Sequence, residues 1–472
     1  MSWATLVMGV YLTILAVLSL NGLHKVWMLY AFGQRPTRGR RPDLDEWPMV
    51  TVQLPMFNER YVAQRLIRAA GELDYPPDKL FIQVLDDSTD DTVTIAQEAV
   101  DELVANGLDA VLVHREDRTG FKAGALDEGL DSAKGELVAI FDADFIPPKD
   151  FLKATVPWFD EGVGMVQARW GHLNARDSWL TAAQATLLDG HFVIEHTARN
   201  ATGRWFNFNG TAGIWRRACI ADAGGWQHDT LTEDLDLSYR AQLKGWAFTY
   251  LHDLVAPAEL PPTMAAFKTQ QHRWAKGSIQ TAKKLLSRIW SSEMPLEVKL
   301  EATAHLTANF SYPLVVLLSL LLPWAIYARI EGGLRTLLVI DLVLFICALV
   351  PFLCFYGAAV WHSGAPRRGV RLARLPIVLA LGMGMAVSQT KAVAEALFGE
   401  VGTFVRTPKS GDAVSIVYRA ASRGLVGVEI LLALYLVGAC VYVVSAGYFA
   451  SLPFLGLFAL GYAAVGFTSI RT

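Results

Sequence analysis

Apolar positions along this chain follow two different patterns. In the first they run nearly unbroken for the length of a membrane crossing. Residues 3–20 continue past Asn21, His24 and Lys25 into 26–32, enough for a tilted helix across a hydrocarbon core of about 30 Å. The segments 310–327, 337–361, 425–445 and 452–467 read the same way. In the second pattern, over 48–290, short β-branched runs alternate with amphipathic stretches. Residues 49–54, 80–85, 110–113, 137–141 and 164–168 predict strands, and 61–73, 92–106 and 122–132 have the apolar spacing of helices. Strand, helix, strand in succession predicts an α/β domain with a mostly parallel sheet covered on both faces. Ligands of such sheets sit at the C-terminal strand ends, so residues just after the strands carry the chemistry.

The basic residues orient this arrangement. Arg35, Arg38, Arg40 and Arg41 follow the first apolar run directly, which marks the cytosolic side. That run has neither a basic leader nor a small-residue cleavage site, so it predicts a retained anchor. The segment 375–387 is too short to cross and is flanked by Arg367, Arg368, Arg371 and Arg374 on one side and Arg406 and Lys409 on the other. It predicts an interfacial or re-entrant helix, hence five spans with the N-terminus outside. Arg329 and Arg335 in the predicted outer loop oppose this orientation but are outnumbered. Asp341 and Glu429 fall near predicted helix ends, where a snorkelling interfacial carboxylate is expected rather than an ion pathway.

Composition agrees. The 472 residues are 53% hydrophobic and 18% charged, against about 25% charged in a typical soluble domain. A formal net charge of -3 gives no electrostatic case for a nucleic-acid partner. Cys219, Cys347, Cys354 and Cys440 are scattered, without metal-ligand spacing.

Candidate chemistry lies in three acidic groups of the α/β segment. Asp86-Asp87 follow the second predicted strand, Asp142-Ala143-Asp144 follow Phe141, and Glu233-Asp234 with Asp236 follow Thr232. Asp142 and Asp144 are expected on one side of an extended segment, able to reach one hard cation together. Asp90 or Ser88 is expected to cap the helix from Thr92. Several carboxylates converging on one cleft repel one another unless a divalent cation or basic groups offset them. Magnesium and manganese are held by one or two carboxylates plus substrate phosphates, which points to a diphosphate ligand. Lys122 and Arg273 are candidates to meet the same diphosphate.

The order D, DxD, TED, QxxRW, carried by Asp86-Asp87, Asp142 to Asp144, Thr232-Glu233-Asp234 and Gln270 to Trp274, resembles membrane-integrated family 2 glycosyltransferases. The stretch from Phe208 to Gly213 and that from Gln270 to Gly277 resemble the cellulose synthase-like A and C branches, which make mannan and glucan backbones. The resemblance implies a cytosolic GT-A (Rossmann-like) domain inserted between transmembrane helices. It divides the chain into an anchor at 1–34, a catalytic domain at 45–260, interfacial helices with QxxRW at 261–300, two spans at 305–362, an interfacial helix with a gating loop at 370–411, and two spans at 424–468.

The resemblance also implies roles. Asp86, with Asp87 beside it, contacts the donor's base and ribose, and Asp142 and Asp144 hold Mg²⁺ or Mn²⁺. Asp234 is the general base. Glu233, Gln270 and Trp274 frame the acceptor, while Lys122 and Arg273 meet the diphosphate. The family's FxVTxK loop matches Phe404 to Lys409, with Arg406 in place of Val, so Thr407 and Lys409 are expected to close over the donor. Trp170, Trp205, Trp226 and Trp246 are further candidates for sugar stacking, and 264–287 suits a helix at the bilayer surface.

The implied activity is inverting transfer from a nucleotide-diphosphate sugar, of the UDP-glucose or GDP-mannose class, to a β-linked polysaccharide that is carried across the membrane, the plasma membrane being expected. A membrane glycolipid synthase acting on a lipid acceptor is the rival reading. A transporter would leave the acidic motifs without a purpose. Donor, linkage and oligomeric state are open at this point.

Overall fold

The computed structural model describes residues 2–36, 41–333, 337–399, 402 and 416–470. Among the described residues, seven strands form one sheet: β1 Val50–Met56, β2 Leu80–Asp86, β3 Asp109–His114, β4 Leu137–Ile140, β5 Val163–His172, β6 Gly213–Arg216 and β7 Ala247–Ala258. Their spatial order is β3-β2-β1-β4-β6-β5-β7. Every residue of β1, β2 and β4 is buried, as expected where helices cover both faces. Leu66 and Ile67 of helix Ala63–Gly71 and Ala96 and Val100 of helix Thr92–Ala105 pack on one face with Val52 and Ile82. Leu126 of helix Phe121–Ser132 packs with Leu85 and Val138 on the other. Each large aliphatic side chain so buried contributes about 1.5–3 kcal/mol. Just before helix Thr92–Ala105, Asp90 Oδ1 accepts from the Thr92 N–H at 3.0 Å, while the N-cap residue itself is Asp91.

The sheet departs from the parallel arrangement at its centre. β6 runs antiparallel to both β4 and β5. At four residues β6 is too short to show a period, and β7 was likewise outside the predicted strands. The reversal positions the site. Because Gly213, the first residue of β6, pairs with Ile140, the last of β4, the loop before β6 meets the loop after β4.

Among the described residues, five helices are long and apolar enough to cross a membrane: Trp3–Gly33, Leu296–Glu331, Val339–His362, Gly424–Ser445 and Phe449–Ile470. Leu375–Gly384 and Ala386–Phe398 form a pair bent by 42°, a broken span or a re-entrant loop. The chain is a multi-pass membrane protein. Asp341 and Glu429 do not snorkel. Asp341 accepts from the Tyr11 hydroxyl at 2.7 Å and pairs with Arg329, and Glu429 is fully buried against Lys268. A carboxylate near a helix end finds water in a lone helix but a cation in a bundle, and only the bundle shows which. Arg371, one of the basic residues flanking 375–387, pairs with Asp189 of the α/β domain.

Candidate active site

A cleft opens at the C-terminal ends of β1, β2, β4, β5 and β7. Asp87, Lys122, Asp142, Asp144, Glu233, Asp234, Gln270, Arg273 and Trp274 all line it. Nine of the expected residues, drawn from five separate stretches of chain, therefore share one wall. Thr407 and Lys409, with the rest of 403–411, lie outside the described residues.

Asp86 sits behind the cleft surface, fully buried. Its Oδ2 bonds His114 Nδ1 at 2.7 Å, and its buried Oδ1 has no hydrogen-bond partner among the described residues. Asp87 next to it is gripped by Arg115 through two bonds of 2.7 Å, a bidentate geometry that fixes both groups. Arg118 lies 3.9 Å from the same carboxylate and stacks its guanidinium 3.3 Å from the Phe57 ring centre.

The Asp142-Ala143-Asp144 segment is a turn, not the extended stretch expected from its sequence. The Phe145 N–H bonds the Asp142 carbonyl at 3.0 Å. Phe145 must enter the core, where it bridges Ala258 and packs edge-on against Trp170 at 5.2 Å, and the turn delivers it there. Both carboxylates still line the cleft. The Asp142 N–H bonds Thr211 Oγ1 at 2.9 Å, and Lys122 Nζ pairs with Asp142 and donates to the Gly210 carbonyl at 2.8 Å. Among the described residues no group of three His, Cys, Asp or Glu side chains is placed to hold a metal ion. Two hard oxygen donors beside a cation-lined cleft nevertheless fit Mg²⁺ or Mn²⁺, whose remaining positions are filled by waters and substrate phosphates.

Asp234 occupies the first turn of helix Glu233–Leu243, where its Oδ1 accepts from the Leu235 N–H at 2.8 Å. Burial raises its pKa to about 7; Glu233 adds to the rise, while Lys122, the Leu235 amide and Arg273 oppose it. Lys122 shows the converse balance. Burial disfavours its charge, but Asp142, Glu233 and Asp234 outweigh burial and raise its pKa. Asp236, by contrast, is fully buried and tied to Arg240 at 2.8 Å and Lys284 at 3.0 Å, away from the cleft.

Of the four tryptophans considered for stacking, only Trp170 lines the cleft, with its ring centre 6.4 Å from that of Trp274. Trp205 and Trp226 belong to the core, and Trp246 bonds Asp222 at the surface. Glu59, His172 and Glu259 line the cleft and were not singled out from the sequence, and Asn209 of the Phe208 to Gly213 stretch lines it too. His172 and Glu259 each follow or end a strand at its C-terminal side, the signal that would have found them.

Residues 48–277 match the family described as Glycosyltransferase like family 2. This segment belongs to that family. The chain is similar to glucomannan 4-beta-mannosyltransferase 2 of Arabidopsis thaliana, 46% identical over 249 residues, 52% of this chain and 47% of the relative. Glucomannan 4-beta-mannosyltransferase 1 of Oryza sativa subsp. japonica is 42% identical over 270 residues, 56% of this chain and 51% of the relative. The matched stretch thus spans about half the length of these curated relatives. Among solved structures, a mannosyltransferase from Pyrobaculum calidifontis in complex with GDP-Man and Mn²⁺ superposes with TM-score 0.53 at 23% identity, covering 82% of this chain and 99% of that one. This likeness places the family 2 segment in the GT-A-like, Rossmann-related fold.

Proposed function

We propose that the chain is an inverting hexosyltransferase that uses a nucleotide-diphosphate sugar to elongate a β-linked polysaccharide. The observation that carries this reading is the placement of Asp234, a carboxylate with its pKa near neutrality, in one cleft with Asp142, Asp144 and Lys122. A base poised near the working pH can take the proton of an attacking alcohol. Asp142 and Asp144, on the loop after β4, serve the leaving group. Attack by the acceptor hydroxyl on the anomeric carbon, with departure of the nucleoside diphosphate from the opposite face, inverts the configuration, so an α-linked donor gives a β-linked product.

Asp142 and Asp144 would hold Mg²⁺ or Mn²⁺, which when bound supplies charge neutralisation to the diphosphate. Lys122 and Arg273 add positive charge on the same side. Asp86 fixes the His114 ring and Asp87 fixes Arg115 and Arg118, which together make the nucleotide end. Glu233, Gln270 and Trp274 frame the acceptor, with Trp170 as a second sugar-facing ring. Thr407 and Lys409 close over the donor. Similarity to glucomannan mannosyltransferases favours GDP-mannose, with UDP-glucose next, and a 4-linked product. The catalytic domain faces the cytosol, most simply at the plasma membrane, and the membrane helices pass the product across.

The test is purified protein in detergent with a panel of GDP- and UDP-sugars and Mn²⁺ or Mg²⁺, following nucleoside diphosphate release and the product. GDP-mannose turnover to a polymer digested by β-mannanase is expected, with loss of turnover in EDTA and in Asp144→Asn. An organic-extractable glycolipid would install the lipid-acceptor reading, and full activity in EDTA would remove the metal.

The close quarters around Gly210 give a second test. Its φ is +80°, and a Cβ there would lie 3.1 Å from Asp234 Oδ2 and 3.4 Å from Lys122 Nζ. Gly203 has φ +66° with nothing within 4 Å of its Cβ position. An alanine at either site meets the same backbone penalty of about 1–2 kcal/mol. Only Gly210→Ala is expected to lower turnover, by at least about tenfold, while thermal midpoints of the two variants fall together. Equal activity of the two would show that the Gly210 loop does not set the position of Asp234.

A further inference from the structure

The helix Met264–Ser291 carries Gln270, Arg273 and Trp274 toward the cleft. Its opposite face is charged in a way that this role does not use. Lys268, His272 and Lys276 recur every four residues and so form one stripe. Each meets an acid from the membrane region. Lys268 Nζ lies 2.7 Å from Glu429 of helix Ile416–Ser445. His272 and Lys276 lie 3.2 and 3.5 Å from Glu395 of helix Ala386–Phe398. Further along, Lys283 donates to the carbonyls of Ala396 and Leu397 at 3.0 and 3.1 Å, where that helix ends. Ile279, between them on the stripe, packs against Val393 and Ala396.

Lys268 is 5% exposed and Glu429 is fully buried. Such a pair is weak support for stability, because two desolvated charges gain little over a well-packed apolar pair. Its value lies in register: one cation and one carboxylate allow a single alignment of two helices where apolar side chains allow several. The front of the helix is fixed as tightly. A Cβ at Gly277 would fall 2.5 Å from Thr232 Cγ2, and Thr232 is the N-cap residue of the helix that begins Glu233-Asp234. The 416–445 helix is therefore connected through Lys268 and the 264–291 helix to the turn that carries Asp234.

We propose that Lys268–Glu429, with His272 and Lys276 on Glu395, is a charge clamp that makes these two membrane-side helices part of the transfer site, holding Gln270, Arg273 and Trp274 in register with Asp234. The clamped groups are positioning residues that act through the helix. The proposal rests on the glycosyl-transfer reading only for its activity readout, since the clamp itself is also read by hydrogen exchange of 264–277.

The experiment compares Lys268→Glu, Glu429→Lys and the double swap in the full-length protein in lipid nanodiscs. Each single variant is expected to lower kcat at least about tenfold and to speed exchange at 264–277, with nucleoside diphosphate affinity kept within about twofold. The swap is expected to recover both readouts to within about threefold of wild type. Single variants with wild-type kcat, or a swap no better than the worse single, would overturn the clamp. Should the single variants fail to insert, Glu395→Gln decides, because that carboxylate is 35% exposed and glutamine keeps its size. Faster exchange at 264–277 with a lower kcat supports the clamp, and no change in either overturns it. If wild type shows the exchange behaviour with no sugar transfer, the clamp stands and the transfer reading falls.

Discussion

Asp234→Asn is expected to lower kcat by about 10²- to 10⁴-fold, the range for removing a general base. Nucleoside diphosphate affinity should stay within about twofold, because the groups proposed to meet the donor lie on other elements: Asp142 and Asp144 after β4 and Lys122 on helix Phe121–Ser132. A loss confined to kcat is the signature of an interaction made in the transition state alone. The wild-type pH profile gives the matching result. Asp234 must be ionised to accept a proton, and its pKa is about 7. The rate should therefore rise with pH through about 7 and level above it, and the asparagine variant should lose this limb. Wild-type turnover by Asp234→Asn would move acceptor activation to Glu233, which shares the cleft, and not to Asp236, which is buried against Arg240 and Lys284.

Where the sequence was read correctly, the signal was local. Residues 80–85 and 92–106 carry their period within one element, and the structure places β2 and helix Thr92–Ala105 there with ends shifted by one residue. The acidic motifs were legible because they follow strands, and strand ends converge in this class of sheet. What escaped depends on partners distant in sequence. β6 has four residues and owes its direction to β4 and β5 on either side. The Asp142 to Asp144 turn follows from the place of Phe145 in the core, a demand that no alternation rule contains. Asp86 looks like Asp87 in the sequence, yet the alternation of the strand buries the first against His114 and leaves the second at the cleft. Glu429 shows the same limit in the membrane, since its partner Lys268 lies 161 residues away.

Removing the charge of Lys122 should produce the other large effect, and its pH dependence identifies the cause. Lys122 Nζ and Asp234 Oδ2 both lie within 3.4 Å of one point, the Cβ position of Gly210, and Lys122 is the foremost group holding the Asp234 pKa down. An opposite charge at such range lowers a carboxyl pKa by about 1–3 units. In Lys122→Met the rising limb of the profile should therefore move from about 7 to 8 or higher. Turnover at pH 7 then falls at least about fivefold, by the proton population alone, and returns in large part at higher pH. Arg273→Gln should move the limb less, since Arg273 comes last among the groups acting on Asp234. A different outcome marks a different role. If Lys122 serves mainly as a counter-charge to the diphosphate, nucleotide affinity falls in Lys122→Met, the limb stays near 7, and alkaline pH restores nothing. Measuring kcat and nucleoside diphosphate affinity across pH 6 to about 9.5 separates the two, because only the first couples the lysine to the base rather than to the leaving group.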